Sequence, residues 1–336
     1  MPKTKQPIVD DVYDEVDGYE ELAEESMSAD FNLEDFDISI ALDRHLKRLL
    51  TENQPTRSNA RFLITSYLKV QDLRIRFGLM QKTESGDVYG QVLSWLHTNL
   101  QQFEGSIKLL LKSYAEGTRA GEWALSVTGV GPVIGAGMVA YIDPQKAPSC
   151  GHVWSYAGYA PNKVWLPGEK RPWNAKLKRL CYYAGESFVR QRRNPKCYYG
   201  DVYWNRKLRE IAANFSGEHE DAAKEGAQRV GKSTIAYAWY SGQYSLEDQA
   251  RVFKSIQEGK DISKMTLERK AEGTGLPMLP PAHIDRRAKR IAIKLFLSHY
   301  HYVAYQEQFN GLVPAMPYVF REVGHEHFVP PPNWAY

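Results

Sequence analysis

The strongest periodic pattern in the chain is a stripe of apolar residues from residue 88 to residue 113. Its apolar positions, from Val88 to Leu111, recur every three to four residues, which is the spacing of one face of an α-helix. Such a face is stable in water only when another helix covers it. We therefore predict a helix over 88–113 that packs against a partner helix, and we expect homo-oligomers to form through it.

The pattern changes between residues 121 and 143, where two short apolar segments are joined by Gly-Val-Gly-Pro at 129–132. Both glycines can adopt positive φ, and Pro132 favours the first turn of a following helix. This predicts a helix-hairpin-helix, which can bind a phosphate oxygen through backbone N–H groups. An ordinary tight turn between helices has the same pattern, so that alternative stays open. The candidate contacts are Gly129, Val130, Gly131 and Val133.

Further along the chain, a basic amphipathic helix is predicted from about residue 285 to residue 306. We find no strand-like alternation, so we predict a mainly α fold in which a long helix leads into a helix-hairpin-helix and a basic C-terminal helix. The predicted organisation is an acidic disordered tail at 1–37, a helical region at 38–120, a helix-hairpin-helix and basic aromatic region at 121–209, a polar insertion at 210–282, a basic helix at 283–312 and a Pro- and aromatic-rich tail at 313–336.

The charge of the chain is divided unevenly along its length. The net charge is only +3, but residues 1–40 contain thirteen acidic and two basic side chains. Low hydrophobicity and high charge predict a tail without a packed core. The remaining chain is therefore strongly basic, and a basic body of this kind predicts a polyanionic partner.

Basic residues concentrate in two segments. Residues 163–209 contain thirteen Lys or Arg against three acids, together with eight Trp or Tyr. Cations neutralise phosphates, and aromatic rings can stack on unpaired bases, so DNA is the expected partner and RNA an alternative. For the aromatic residues we favour a role in the core. The candidate phosphate contacts are Lys163, Lys170, Arg171, Lys176, Lys178 and Arg179 in the first segment, and Arg286, Arg287, Lys289, Arg290 and Lys294 in the C-terminal helix.

The order of these motifs resembles the C-terminal domain of the DEDD-type insertion-sequence transposases, the bridge-RNA-guided recombinases. The resemblance covers roughly 90–206 and 283–306. After the long helix come Gly-Val-Gly-Pro at 129–132, Trp-Ser-Tyr-Ala-Gly-Tyr-Ala-Pro at 154–161, a basic helical pattern at 175–180 and Pro-Pro-Ala-His-Ile-Asp-Arg-Arg-Ala-Lys-Arg at 280–290.

The resemblance also implies what this chain lacks. Members of the family carry an N-terminal RuvC-like nuclease domain with metal-binding acids, whereas the first 120 residues here predict helices. The family's nucleophilic serine follows the Ala-Gly-Tyr-Ala-Pro segment, whereas residues 162–169 contain no serine. We expect a DNA-binding scaffold that binds the backbone largely independently of sequence, with no catalytic residue and no cofactor.

Two other functions stay open. The first is a divergent active recombinase, transposase or nuclease, which would require Mg²⁺. The second is a structural, oligomeric phage or plasmid protein that has only inherited the transposase-like architecture.

Other motifs are weaker. Residues 226–233 match the P-loop pattern, but the polar segment 216–225 before them cannot form the buried strand that a P-loop requires, so we expect a polar turn. His299 and His301 lie on different faces of a predicted helix, and His325 and His327 have no third ligand, so we predict no metal site.

The compartment is suggested by composition. The three cysteines include no Cys-x-x-Cys pair, no apolar run reaches the ~18–20 residues of a membrane span, and the N-terminus is acidic. We expect a cytoplasmic protein with no membrane partner. The resemblance implies a bacterial, plasmid or phage source.

Overall fold

The computed structural model describes residues 55–83, 88–160, 165–166, 168–263, 265–270, 273–316 and 328–335. Every regular element in these ranges is helical, which confirms the prediction of a mainly α protein. The acidic tail 1–37, Lys163 and the histidine pair His325 and His327 lie outside the described residues.

Eleven α-helices lie in the described part of the chain. They are α1 Arg57–Thr83, α2 Val88–Glu116, α3 Arg119–Ser126, α4 Pro132–Tyr141, α5 Cys150–Tyr156, α6 Ala175–Arg190, α7 Tyr198–Phe215, α8 Glu220–Arg229, α9 Ile235–Tyr240, α10 Leu246–Gln257 and α11 Pro281–Gln308, with one 3-10 turn at Pro144–Lys146. None of the described helices is both long enough and apolar enough to cross a membrane.

The helices divide into two compact units. The first unit comprises 1–184 and 296–336, and the second unit comprises 185–295. The boundaries fall inside α6 and α11, so each of these two helices contributes residues to both units.

The long helix α2 has the amphipathic face that the sequence predicts. Leu93, Leu100, Ile107 and Leu111 recur on one side and are all buried. Helix α1 of the same chain packs along α2, and α4 packs against both. The chain therefore supplies a partner helix for α2 itself, while homo-oligomer formation through α2 stays a prediction.

Helix α3 is fixed at its N-terminus by two side chains. Thr118 accepts a hydrogen bond from the amide of Gly121 at 3.0 Å. The Glu307 carboxylate accepts from the amides of Arg119 and Ala120 at 2.8 and 2.9 Å. A carboxylate at a helix N-terminus satisfies unpaired N–H groups and complements the helix dipole. These bonds join the hairpin to the C-terminal end of α11 within the first unit.

The C-terminal segment 328–335 packs onto the same region. Trp123 is buried, stacks on Phe296 at 6.1 Å and donates from its indole N–H to the Pro332 carbonyl at 2.7 Å. The Trp334 indole donates to Gln306 at 2.7 Å. The chain end is thus held by two indole hydrogen bonds.

The second unit has its own aromatic core. Trp239 and Phe253 are buried with their ring centroids 5.4 Å apart, and Phe215 meets Phe253 edge-on at 5.5 Å. The segment 210–282, which the sequence predicts as a polar insertion, therefore contains part of a packed core. Within it, Gly226 lies inside α8 against Tyr240, so the P-loop letters begin in a helix.

Two buried amides hold an extended segment of this unit. Gln249 accepts from the Leu276 amide at 3.2 Å and donates to the Leu276 carbonyl at 2.8 Å. Asn214 makes the same pair of bonds with Leu279, both at 3.0 Å. Because a side-chain amide carries one acceptor and one donor group, it satisfies both backbone groups of a residue at once.

Candidate nucleic-acid interface

The hairpin between α3 and α4 is closed by its own backbone. Gly129 has a φ of +99°, a conformation that L side chains rarely adopt, and the Val130 amide donates to the Val127 carbonyl at 3.0 Å. The Val130 N–H is therefore engaged within the turn, which removes it from the predicted phosphate donors. The side chains of Val130 and Val133 are buried, so these residues can meet a ligand only through the backbone.

Helix α4 begins with open N–H groups. Gly131 is its N-cap and has no side chain to offer, and Pro132 follows at the first position. The amides of Val133 and Ile134 belong to the first turn and have no partner within the helix. With Gly131, they are the donors that this helix can present to an anion.

Two cations around the start of α6 lie over aromatic rings. The Arg171 guanidinium lies 4.6 Å from the centroid of Trp165, and Lys178 Nζ lies 4.3 Å from that of Trp173. Both contacts fall within the range of cation–π attraction. The neighbouring side chains Lys170 and Lys176 are exposed.

Arg179 is held by a carboxylate. Its Nη2 donates to both oxygens of Asp72 at 2.9 and 3.1 Å, and its Nε donates to the Tyr183 hydroxyl at 2.9 Å. Two charge-assisted hydrogen bonds to one carboxylate compensate the charge of the guanidinium. We therefore place Arg179 among the residues that join α6 to α1.

The hairpin and the basic segment lie at opposite ends of α4. Arg61 donates to the carbonyl of Ala140 at 2.9 Å, and Lys176 Nζ lies 3.2 Å from Thr65 Oγ1, one turn further along α1. Both contacts place the start of α6 beside the C-terminal end of α4. The hairpin precedes the N-terminal end, about 15 Å away along a ten-residue helix. The structure therefore does not gather these two predicted groups into one site.

The second unit does bring two predicted basic regions together. A cleft of about 490 Å³ is lined by Arg192, Trp204 and Lys207 from the 163–209 segment and by Arg286 and Lys289 from the start of α11. The Arg192 guanidinium lies 5.7 Å from the Trp204 ring centroid and donates to the Val189 carbonyl at 3.2 Å. The cleft thus combines cations with a half-buried indole.

Part of this positive charge is compensated within the protein. Lys207 Nζ lies 2.6 Å from Asp285, and Lys289 lies 2.9 Å from Asp285 and 2.6 Å from Glu186. Burial opposes ionisation of Asp285, but the two lysines outweigh it and hold the pKa of that carboxyl below its usual range. The Tyr203 hydroxyl also binds Asp285, and burial raises the pKa of Tyr203.

Arg287 faces a second carboxylate. Glu210 is only 2% exposed and accepts from Arg287 Nε and Arg206 Nε, both at 2.7 Å. Burial opposes ionisation of Glu210, but the two arginines outweigh it and lower its pKa. Arg287 and Lys289 are therefore bound to acids, and Arg192 and Arg286 also line the cleft. Arg290 and Lys294 are half-buried further along α11 and do not line it.

Some residues of the cleft are not among the candidates that the sequence predicts. Arg192 and Lys207 lie in the basic segment 163–209. The distance in sequence between Arg192 and Trp204 does not indicate that these two side chains are in contact. Lys260 also lines the cleft. Because Glu258 and Asp261 are close to it in sequence, this stretch has no net positive charge that would predict a phosphate contact. Its position depends on tertiary packing.

In the described part of the chain, no group of three or more His, Cys, Asp or Glu residues is placed to hold a metal ion. His299 Nε2 lies 2.9 Å from the Val329 carbonyl oxygen, and His301 Nε2 lies 2.6 Å from that of Ala147. Burial lowers the pKa of His299 to about 4 and also lowers that of His301. Both histidines are therefore neutral core residues at pH 7.

Comparisons of the chain with protein-family models, with characterised proteins and with solved structures found no match. The relationship to the transposase C-terminal domain therefore stays a prediction.

Proposed function

We propose that this chain is a cytoplasmic nucleic-acid-binding protein, related to the C-terminal domain of insertion-sequence transposases, that binds the backbone largely independently of sequence. The observation that carries this proposal is the cleft of the second unit. There, cations from two segments distant in sequence surround Trp204.

The chemistry of the cleft suits a phosphate backbone. Arg192 and Arg286 can each bind a phosphate through two N–H groups, and each contact releases condensed counterions. Trp204 can stack on an unpaired base without selecting its identity. The lysines bound to Asp285 hold the walls of the cleft in place.

The hairpin of the first unit offers a separate contact. The amides of Gly131, Val133 and Ile134 can bind a phosphate oxygen, and such contacts carry no information about base sequence. Neither contact requires a metal ion, so Mg²⁺ belongs only to the recombinase alternative.

The test compares the wild type with the double variant Arg192→Gln/Arg286→Gln. Fluorescence anisotropy with duplex and single-stranded DNA and RNA is measured between ~50 and 200 mM salt. We expect affinity to fall steeply with salt, and the slope to decrease by about two in the variant because two phosphate contacts are lost.

The matched control is Arg229→Gln, which removes one exposed arginine paired with Glu225 on α8. It should leave the slope unchanged, and thermal melting should show that each variant is folded. A double variant with wild-type slope, or a wild type that binds no nucleic acid at low salt, would contradict the proposal. Reproducible nicking of supercoiled DNA with Mg²⁺ would favour the recombinase alternative.

A further inference from the structure

The first unit contains a cleft that neither the sequence predictions nor the proposed function uses. Its volume is about 610 Å³, which falls in the range of small-molecule sites. It lies where α1, the end of α4 and α5 meet. Polar and aromatic side chains line it, among them Arg57, Arg61, Tyr141, Lys146, His152 and Tyr156.

The described lining of this cleft is cationic. It contributes Arg57, Arg61 and Lys146 against a single carboxylate, Asp143, which pairs with Arg57 at 3.0 Å. Arg61 is held in place because its Nε donates to the Ala140 carbonyl and its guanidinium lies 5.2 Å from the Tyr141 ring centroid. The surplus of two positive charges complements a dianion.

A buried hydroxyl lies on the same wall. Tyr141 is only 5% exposed, and among the described residues its hydroxyl makes no hydrogen bond within ordinary distance and angle limits, although Thr65 and Arg61 lie nearby. The Thr65 hydroxyl already donates to the Arg61 carbonyl at 2.9 Å. The Thr65 oxygen keeps a lone pair that can accept from the Tyr141 hydroxyl, and an anion in the cleft would offer this hydroxyl a stronger, charged acceptor.

An aromatic residue completes the lining. Tyr156 is 41% exposed, and its hydroxyl accepts a hydrogen bond from Asn174 Nδ2 at 2.9 Å. This bond restrains a ring that lines the cleft. An exposed, restrained phenol ring is a surface on which a nucleobase can stack.

We propose that the cleft of the first unit binds the phosphate monoester of a nucleoside, either a free mononucleotide or the phosphorylated end of a nucleic-acid strand. Arg61 and Lys146 would hold the dianionic phosphate, the Tyr141 hydroxyl would donate to one of its oxygens, and Tyr156 would contact the base. The inference does not depend on the cleft of the second unit.

The first experiment titrates the full chain with adenosine 5′-monophosphate and with adenosine by isothermal titration calorimetry. We expect the monophosphate to bind and adenosine to bind at least about tenfold more weakly, because hydrogen bonds to a charged group are lost. Equal binding of the two ligands, or no binding of the monophosphate at millimolar concentration, would overturn the proposal.

Two variants locate the binding. Tyr141→Phe removes only the hydroxyl, and Lys146→Gln removes an exposed cation, so each should weaken monophosphate binding about tenfold. Tyr141→Phe keeps the buried ring, and thermal melting should show that this variant is folded. The control Lys112→Gln removes an exposed lysine on α2 and should leave binding unchanged. Unchanged binding in both cleft variants would overturn the assignment to this cleft.

A second experiment distinguishes the two sources of the ligand. One oligonucleotide is prepared with a 5′-phosphate and with a 5′-hydroxyl, and its binding is compared in the wild type and in Lys146→Gln. A preference for the phosphate that Lys146→Gln abolishes identifies a strand end, whereas monophosphate binding without that preference identifies a free nucleotide. Arg192→Gln/Arg286→Gln should leave monophosphate binding unchanged, so failure of the backbone proposal and failure of this one give different results.

Discussion

In the first unit, Arg171 and Lys178 lie over indole rings and Lys176 is exposed, whereas in the second unit Arg287 and Lys289 are bound to carboxylates. Both kinds of contact occur in each unit, since Arg179 of the first unit binds Asp72 and Arg192 of the second lies over Trp204, so the same residue types have different energetic roles at different positions. A cation near water can bind a phosphate at little cost to the fold, while a cation bound to a buried acid stabilises the fold first. A count of basic residues in the sequence does not separate these cases.

The units also differ in how they respond to acid. In the first unit, burial keeps His299 and His301 neutral. In the second unit, Glu210 and Asp285 are buried in their charged form with basic partners. Protonation therefore disturbs the two units over different ranges of pH.

The largest expected effect is that of Glu210→Gln. This change leaves Arg206 and Arg287, whose side chains are 37% and 38% exposed, without the buried carboxylate they share. Hydrogen bonds to a charged group contribute about 1.5–3 kcal/mol each, so the loss should be of this size for each bond. Urea unfolding should show the loss, and hydrogen exchange should place it in the second unit. Glu225→Gln, which removes an exposed pair with Arg229, should cost less than about 1 kcal/mol. If both changes lowered the free energy of unfolding equally, the buried Glu210 would stabilise the fold no more than the exposed Glu225.

The next effect is a loss of stability in the first unit on acidification. The pKa of His299 is about 4 in the fold against 6.5 for the ordinary side chain, so the unfolded chain binds more protons between these values. Stability is complete above about pH 6.5 and falls, by up to about 3 kcal/mol, as the pH decreases to about 4. Unfolding free energies measured across this range, with His299→Gln beside the wild type, test this.

In His299→Gln this part of the pH dependence should disappear. For Glu210 and Asp285 the pKa is lowered, so their contribution is present at neutral pH and is lost only as the pH falls below the ordinary carboxyl range of about 4. Hydrogen exchange should therefore show α11 after residue 296 and segment 328–335 opening at a higher pH than α7. If both regions opened at the same pH, the two units would not differ in their response to acid.

A smaller effect is expected at the hairpin. Gly129→Ala forces a side chain into a backbone with a φ of +99°, which we expect to cost about 1–2 kcal/mol. The control Gly105→Ala lies in α2 with open space around the added carbon, and it should stabilise the protein by about 0.5–1 kcal/mol. Thermal melting distinguishes these opposite signs. If Gly129→Ala is neutral, the conformation of the turn does not require glycine.

The smallest effect on stability is expected for Lys176→Gln. This side chain is exposed, so the free energy of unfolding should change by no more than about 0.5 kcal/mol while nucleic-acid affinity decreases. Arg287→Gln should show the reverse, a loss of stability in urea unfolding that exceeds any loss of binding. If both variants lost the same free energy of unfolding, the exposed Lys176 and the acid-bound Arg287 would not differ in their contribution to the fold.

Much of the helical framework follows from apolar periodicity. The predicted helix 88–113 corresponds to α2 at Val88–Glu116, and the predicted basic helix 285–306 lies within α11 at Pro281–Gln308. The turn at 129–132 joins two helices as predicted. These elements are long or carry turn residues with strong conformational preferences, so local sequence is sufficient to define them.

The sequence is less informative where tertiary contacts decide the outcome. The core around Trp239 is built from short helices whose apolar residues are scattered among polar ones. The sequence of 210–282 therefore predicts a polar insertion and not a packed core. The pairing of Arg287 with Glu210 joins residues 77 positions apart, which no local pattern reveals. The sequence therefore predicts a pair of basic segments, while the structure shows which of their cations are bound to acids.

The contacts of segment 328–335 have a practical consequence for expression and labelling. The Trp334 indole donates to Gln306, and the Arg119 guanidinium lies 5.0 Å from the Trp334 ring centroid, so a change within segment 328–335 would disturb these contacts. Deleting the segment would expose the Trp123 indole, and its fluorescence would shift to longer wavelength. In a variant that keeps only Trp123 of the eight tryptophans, that emission would measure whether segment 328–335 is docked on the first unit.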